Sequence, residues 1–256
     1  MNQLSSLTAK FKISHTLPAS IVIYIMYMAL IITIWYMNGG EYESIGKNSE
    51  TIKEWLAIPT LLGSAFLVLA ITLLGSWKAV LFENIKAQAK WVWLFPISMF
   101  LIIGYSFLEI GIDKLTPGLI LWGTLGAVGV GFGEEALTRG ILLVGLRKNY
   151  TEGKSWLYST ILFSAMHLTN ILFGLAFYKL IIQLILTFIL GSGFYVARRI
   201  SGTLILSMCL HGLWDGAIFL KEATGVNPSN WSMIVYPIAM ICLIPILRGK
   251  WKEKIS

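Results

Sequence analysis

Charge is what this sequence has least of. Only 13% of its 256 residues are Asp, Glu, Lys or Arg, about half the share a soluble domain carries. A chain so poor in charge and 56% hydrophobic has too little polar surface to face water on all sides. Cysteine is scarce as well. Cys209 and Cys242 both lie in apolar runs, which argues against a disulfide framework and for two small buried side chains. Polar sequence long enough for a soluble domain is missing, since the longest such stretch, 38–54, has the size of a loop. No internal repeat and no low-complexity tract is present.

What the chain has instead is long, unbroken apolar blocks. They predict an all-α polytopic membrane protein with about eight transmembrane helices. The spans fall near 18–37, 55–77, 91–111, 117–137, 155–170, 172–196, 202–220 and 231–247. The first is too long for the core of a signal peptide and is expected to remain a span. The fourth is expected to continue as a helix towards Leu146. With the N-terminus inside, fifteen Lys and Arg fall in inside segments and five in outside segments. That bias predicts a multi-pass protein of the cell membrane with both termini cytoplasmic. The net charge of +7 is spread over membrane boundaries instead of one patch. It therefore points to membrane lipid as a partner and not to nucleic acid.

Against this background the stretch GVGFGEEALTRG, residues 129–140, stands out. It places Glu134, Glu135 and Arg139 in a span, where each charge is expensive by a few kcal/mol (~2.5–3.5 on insertion scales). Two of the three histidines are also in apolar spans: His167 in ILFSAMHLTN, and His211 with Asp215 in CLHGLWDGAIF. The third, His15, lies in the polar N-terminal segment, and no role is expected of it. Glu135 and Arg139 are four apart and can pair on one helix face. Glu134 points about 100° away and has no such partner. His211 and Asp215 also share a face. A buried ion pair, a His–Asp contact and a polar helix contact each have a purely structural reading. Six ionisable groups gathered on three helices favour a functional site. The glycines before the carboxylates lack a preceding strand and a following Lys-Ser/Thr, so they read as close helix packing and not as a nucleotide loop.

At these residues the chain resembles the CPBP intramembrane proteases, the CAAX-prenyl-protease and bacteriocin-processing group also called the Abi family. The three parts of that family's pattern are Glu-Glu-x-x-x-Arg at Glu134, Glu135 and Arg139, Phe-x-x-x-His at Phe163 and His167, and His-x-x-x-Asn/Asp at His211 and Asp215. The resemblance divides the chain into N-terminal transmembrane helices (1–116), a catalytic helix bundle (117–220) and a last helix with a basic cytoplasmic tail (221–256).

The resemblance implies an endopeptidase acting on membrane-associated or hydrophobic peptides, with roles in peptide or bacteriocin maturation or in bacteriocin immunity. Glu134 is expected to activate water with His167. His211 would stabilise the oxyanion, with Asp215 orienting it as the Asp of a hydrolase triad does. Glu135 and Arg139 would hold the helix. Prenyl-protein proteases of the family usually carry Asn where this chain has Asp215, which weakens a reading of the substrate as a prenylated CAAX protein and leaves the use of prenylated substrates open. No cofactor is expected, although Glu134, His167 and His211 make a conceivable zinc set. The site is expected to open to the cytoplasmic side or laterally to lipid. A proton- or ion-coupled transporter and a non-catalytic immunity or scaffold protein on the same fold are the alternatives.

Overall fold

The computed structural model describes residues 13–83, 89–227 and 230–254. Lys10, Lys12 and Lys86 of the charge count lie outside them. The chain is all-α, and no strand occurs among the described residues. The helices are α1 (Leu17–Met37), α2 (Ser49–Leu74), α3 (Trp77–Leu81), α4 (Leu94–Glu109), α5 (Pro117–Glu135), α6 (Leu143–Arg147), α7 (Glu152–Met166), α8 (Phe177–Ser201), α9 (Leu204–Ala223) and α10 (Val235–Leu247).

Local chemistry sets the boundaries. α1 starts where Thr16 accepts from the Ala19 N–H, with Pro18 in the first turn, where a missing N–H is harmless. α5 repeats the device with Thr116 and Pro117. α2 ends at Gly75 and α8 at Gly202, both left-handed (φ 58° and 77°), a conformation that favours glycine.

Among the described residues, seven helical segments are long and apolar enough to cross a membrane. The expected fourth span, 117–137, is not among them. Glycines and Glu134–Glu135 dilute its apolar character, and its lower half is buried in protein instead of facing lipid. It traverses the bundle all the same. Its first turn lies against Ser49, while Arg147, at the end of the continuation, meets Glu83 and Glu152 at the opposite end. Between α5 and α6 the helix widens into a π-helical turn, Ala136–Leu142. Side chains from elsewhere in the bundle bond to carbonyls of this turn: Ser20 Oγ and His15 Nε2 donate to Ile141 at 3.1 and 3.0 Å, and Arg198 donates to Arg139. His15, to which the sequence reading gave no role, is thus a buried donor to the wide turn.

α5 and α9 form the central contact. A Cβ on Gly131 would stand 2.3 Å from the Met208 carbonyl oxygen, and one on Gly212 2.3 Å from that of Ala127. Without a hydrophobic driving force between helices in lipid, such close backbone approach supplies the van der Waals attraction.

Three of the cations counted as boundary charges have a different setting. Arg147, Arg198 and Arg199 converge on two buried carboxylates. Glu83 accepts from Arg198 at 2.5 Å, Arg199 at 2.8 Å and Arg147 at 3.0 Å. Glu152 takes a two-pronged contact from Arg147 at 2.6 and 2.8 Å and the Tyr195 hydroxyl at 2.5 Å. Planar guanidinium groups suit such a shared site. Burial alone would raise the Glu83 carboxyl, but Arg198, Arg147 and Arg199 together hold it down at about 2. Because the folded value lies below the ordinary 4.5, its stabilisation is fully present above pH 4.5 and is lost as pH falls towards 2. Glu83→Gln should lower stability at neutral pH by about 3–5 kcal/mol, since it leaves arginines unpaired. Its melting temperature in detergent should also fall less than that of the wild type as pH drops from 5 to about 2.

Candidate active site

Three features of the chain bring the motif residues to one depth. α5 delivers Glu134 and Glu135 at its last turn, just before the π-helical widening. α7 stops at Met166, and His167 opens a 3-10 segment ending at Phe173. α9 begins at Leu204, below the site, and carries His211 up beside Gly131 of α5. The sequence left convergence dependent on broken or distorted helices, and both kinds occur.

Glu135 and Arg139 are fully buried and pair at 2.7 Å. The guanidinium carbon also lies 3.8 Å from the centre of the Phe163 ring and 5.6 Å from that of Phe194, a cation–π arrangement that compensates part of its lost hydration. Room for it comes from Gly191 on α8, where a Cβ would lie 2.4 Å from Arg139 Nη2. Thr138 completes the support. Its hydroxyl accepts from Arg139 at 3.0 Å and donates to the Glu134 carbonyl at 2.6 Å.

His211 sits in the same knot. Its Nδ1 lies 3.0 Å from Glu135 Oε1, and an ionised carboxylate only accepts, so Nδ1–H donates. Phe194 stacks on the imidazole at 4.6 Å and Phe163 meets it edge-on at 5.5 Å. Nε2 points the other way, 3.8 Å from both Glu134 Oε2 and Asp215 Oδ2, close but beyond hydrogen-bond reach. This corrects the expected triad. Asp215 shares the helix face of His211 but sits on the Nε2 side, and the group that orients the ring is Glu135 on a neighbouring helix. Glu134 Oε2 has no hydrogen-bond partner.

His167 Nδ1–H donates to the Phe163 carbonyl at 3.1 Å, which leaves Nε2 as the free nitrogen. Among the described residues no group of three His, Cys, Asp or Glu side chains is placed to hold a metal ion. Phe194, Gly191 and Thr138 were not anticipated. A glycine pair inside an apolar span, Gly191 and Gly193, was the available hint of a close approach.

A cavity of about 520 Å³ leaves the site along α8 and α9 and reaches Tyr42, Glu43, Lys179 and Glu222. At this mouth Lys179 bonds Glu43 at 2.6 Å and, with the Ala176 N–H, holds its carboxyl below the ordinary range. Ile182 and Ile218 on the flanks are 52% and 46% exposed. The lateral opening agrees with expectation. Along the bundle axis the cavity runs away from the arginine-rich end.

Residues 116–217 match the family model described as type II CAAX prenyl endopeptidase Rce1-like. This segment belongs to the CAAX-protease family. At the family level the matched segment is similar to CAAX-type membrane proteases, which are peptide hydrolases. No curated protein and no solved structure matches the chain. The match spans all three motifs, from the first turn of α5 to just past Asp215.

Arg139→Ala should lower stability by about 3–5 kcal/mol, because Glu135 is left buried without its cation. Replacing Glu135 and Arg139 together by apolar residues should recover melting temperature but not proteolysis, since His211 then loses its acceptor. Equal melting of single variant, double variant and wild type in detergent would show that the pair carries no stability.

Proposed function

We propose that this CAAX-family protease is a metal-free glutamate endopeptidase acting on membrane-associated or hydrophobic peptides, with no prenyl group required. It lies in the cell membrane with both termini cytoplasmic, in contact with lipid. The observation that carries the reading is the geometry of Glu134. It is a carboxylate with an unpartnered oxygen, 3.8 Å from a histidine nitrogen, and it lines a small cavity of about 110 Å³ together with His167 and Asp215, which also line the larger cavity.

The chemistry follows from the donors and acceptors present. Water held between Glu134 and His167 Nε2 gives a proton to Glu134 as its oxygen adds to the scissile carbonyl carbon. With Nδ1–H committed to Glu135, a proton on Nε2 makes His211 an imidazolium. It then donates to the oxyanion while Glu134 and Asp215 flank the charge. Collapse of the tetrahedral intermediate breaks the C–N bond, and Glu134 returns its proton to the leaving amine. Asp215 contributes charge on the Nε2 side and not ring orientation. Peptide or bacteriocin maturation fits this substrate class.

Glu134→Gln keeps the shape and removes the base. The turnover of a fluorogenic hydrophobic peptide by the purified protein should fall at least about a hundredfold, with melting nearly unchanged. Near-wild-type turnover would end the base assignment and favour a non-catalytic immunity protein. In the same assay Glu135→Gln should lose more activity than Asp215→Asn, because only the former disturbs the Nδ1 hydrogen bond. The opposite ranking would restore Asp215 as the orienting group. Dialysis against EDTA should leave the rate unchanged. A loss reversed by added zinc would instead make Glu134, His167 and His211 ligands.

A further inference from the structure

Resting on the hydrolytic reading above, we propose that the substrate reaches the site from the outer side of the membrane, through the groove between α8 and α9. Phe194, Leu190, Thr187, Gln183 and Lys179 follow one another at intervals of three or four along one face of α8, all lining the cavity. From Phe194, beside His211, to Lys179 at the mouth the helix rises about 22 Å. This distance covers several residues of an extended peptide at about 3.3 Å each. In the other direction the way is filled. Residues 135–143 are buried throughout, and the Glu83–arginine cluster lies beyond them.

Charge decides which end is which. Among the described residues, every Lys and Arg outside the site falls in a segment joined to the arginine-rich end, except Lys47, Lys53, Lys114, Lys179 and Lys221. Segments at the mouth end carry more acidic than basic residues. The positive-inside rule therefore sets the arginine-rich end in the cytoplasm and the mouth outside. Exposed Ile182 and Ile218 give the groove an apolar, lipid-facing flank, and Glu222 stands at its entrance beside the paired Glu43 and Lys179. The fitting substrate is a peptide with an apolar segment lying in the outer leaflet and a positively charged flank at its surface.

Two measurements test this. Single-cysteine reporters at Glu222→Cys and Lys250→Cys, in a Cys209→Ala, Cys242→Ala background, are exposed to a membrane-impermeant maleimide in right-side-out vesicles. The reporter at 222 should label and the one at 250 should not. The reverse pattern overturns the proposal whether or not the protein is a protease. Vesicles of the wild-type protein are then given a fluorogenic peptide with an apolar core and a Lys flank. Cleavage should be at least tenfold faster in right-side-out than in inside-out vesicles. Faster cleavage in inside-out vesicles overturns the route. Failure of the hydrolytic reading is seen separately, as equal rates for wild type and Glu134→Gln in detergent.

Discussion

A carboxylate and a guanidinium with no solvent exposure, Glu135 and Arg139, set the terms for the rest of the bundle. Neither charge tolerates a low-dielectric interior alone. Their pairing is compatible with a continuous helix, being four residues apart, but it satisfies only part of the guanidinium. The remainder faces Phe163 and Phe194, and only a glycine at 191 lets α8 come close enough. Glu135 in turn shares its oxygen with His211. One buried pair thereby ties α5, α7, α8 and α9 together and fixes the orientation of an imidazole.

Glu134 is the counterpart. It is adjacent in sequence, on the same turn, yet its nearest cationic group is His211 at 3.8 Å, whereas Glu135 is bonded to Arg139 at 2.7 Å; each carboxylate keeps a buried Oε2 without a hydrogen-bond partner. Two neighbouring carboxylates are thus separated by environment, one spent on structure and one kept free beside a cavity. Such a division is how sites keep a reactive group within a rigid frame. A transporter relay would use the same residue types, but the segment's membership of the CAAX-protease family and the blocked route towards the arginine-rich end weigh against a path across the membrane.

The second charged knot, Glu83 and Glu152 with three arginines, does a different job. It lies at the end of the bundle where α3, α6, α7 and α8 meet. Arg198 also donates to carbonyls of residues 79, 80 and 139, so it joins the knot to the π-helical turn beneath the site. Polar backbone that a wide turn leaves partly unpaired is satisfied by this knot on one side and by His15 and Ser20 on the other.

Composition and apolar run length were enough to determine an all-helical membrane chain, because a bilayer demands segments of fixed length with internally bonded backbone. Spacing of four was enough to pair Glu135 with Arg139 and to leave Glu134 apart, because helical periodicity acts locally. The three motifs in order were legible through the resemblance to the CPBP proteases. Tertiary structure alone decided what crosses between helices. It placed Glu135, not the same-helix neighbour Asp215, on His211. It turned Arg147, Arg198 and Arg199 from apparent loop charges into buried partners of Glu83 and Glu152. It also gave the site cavity its direction. Pairing across helices depends on where helices end, bend and touch, and at Gly131, Gly191 and Gly212 that is set by the absence of a side chain, which carries no periodic signal along the chain.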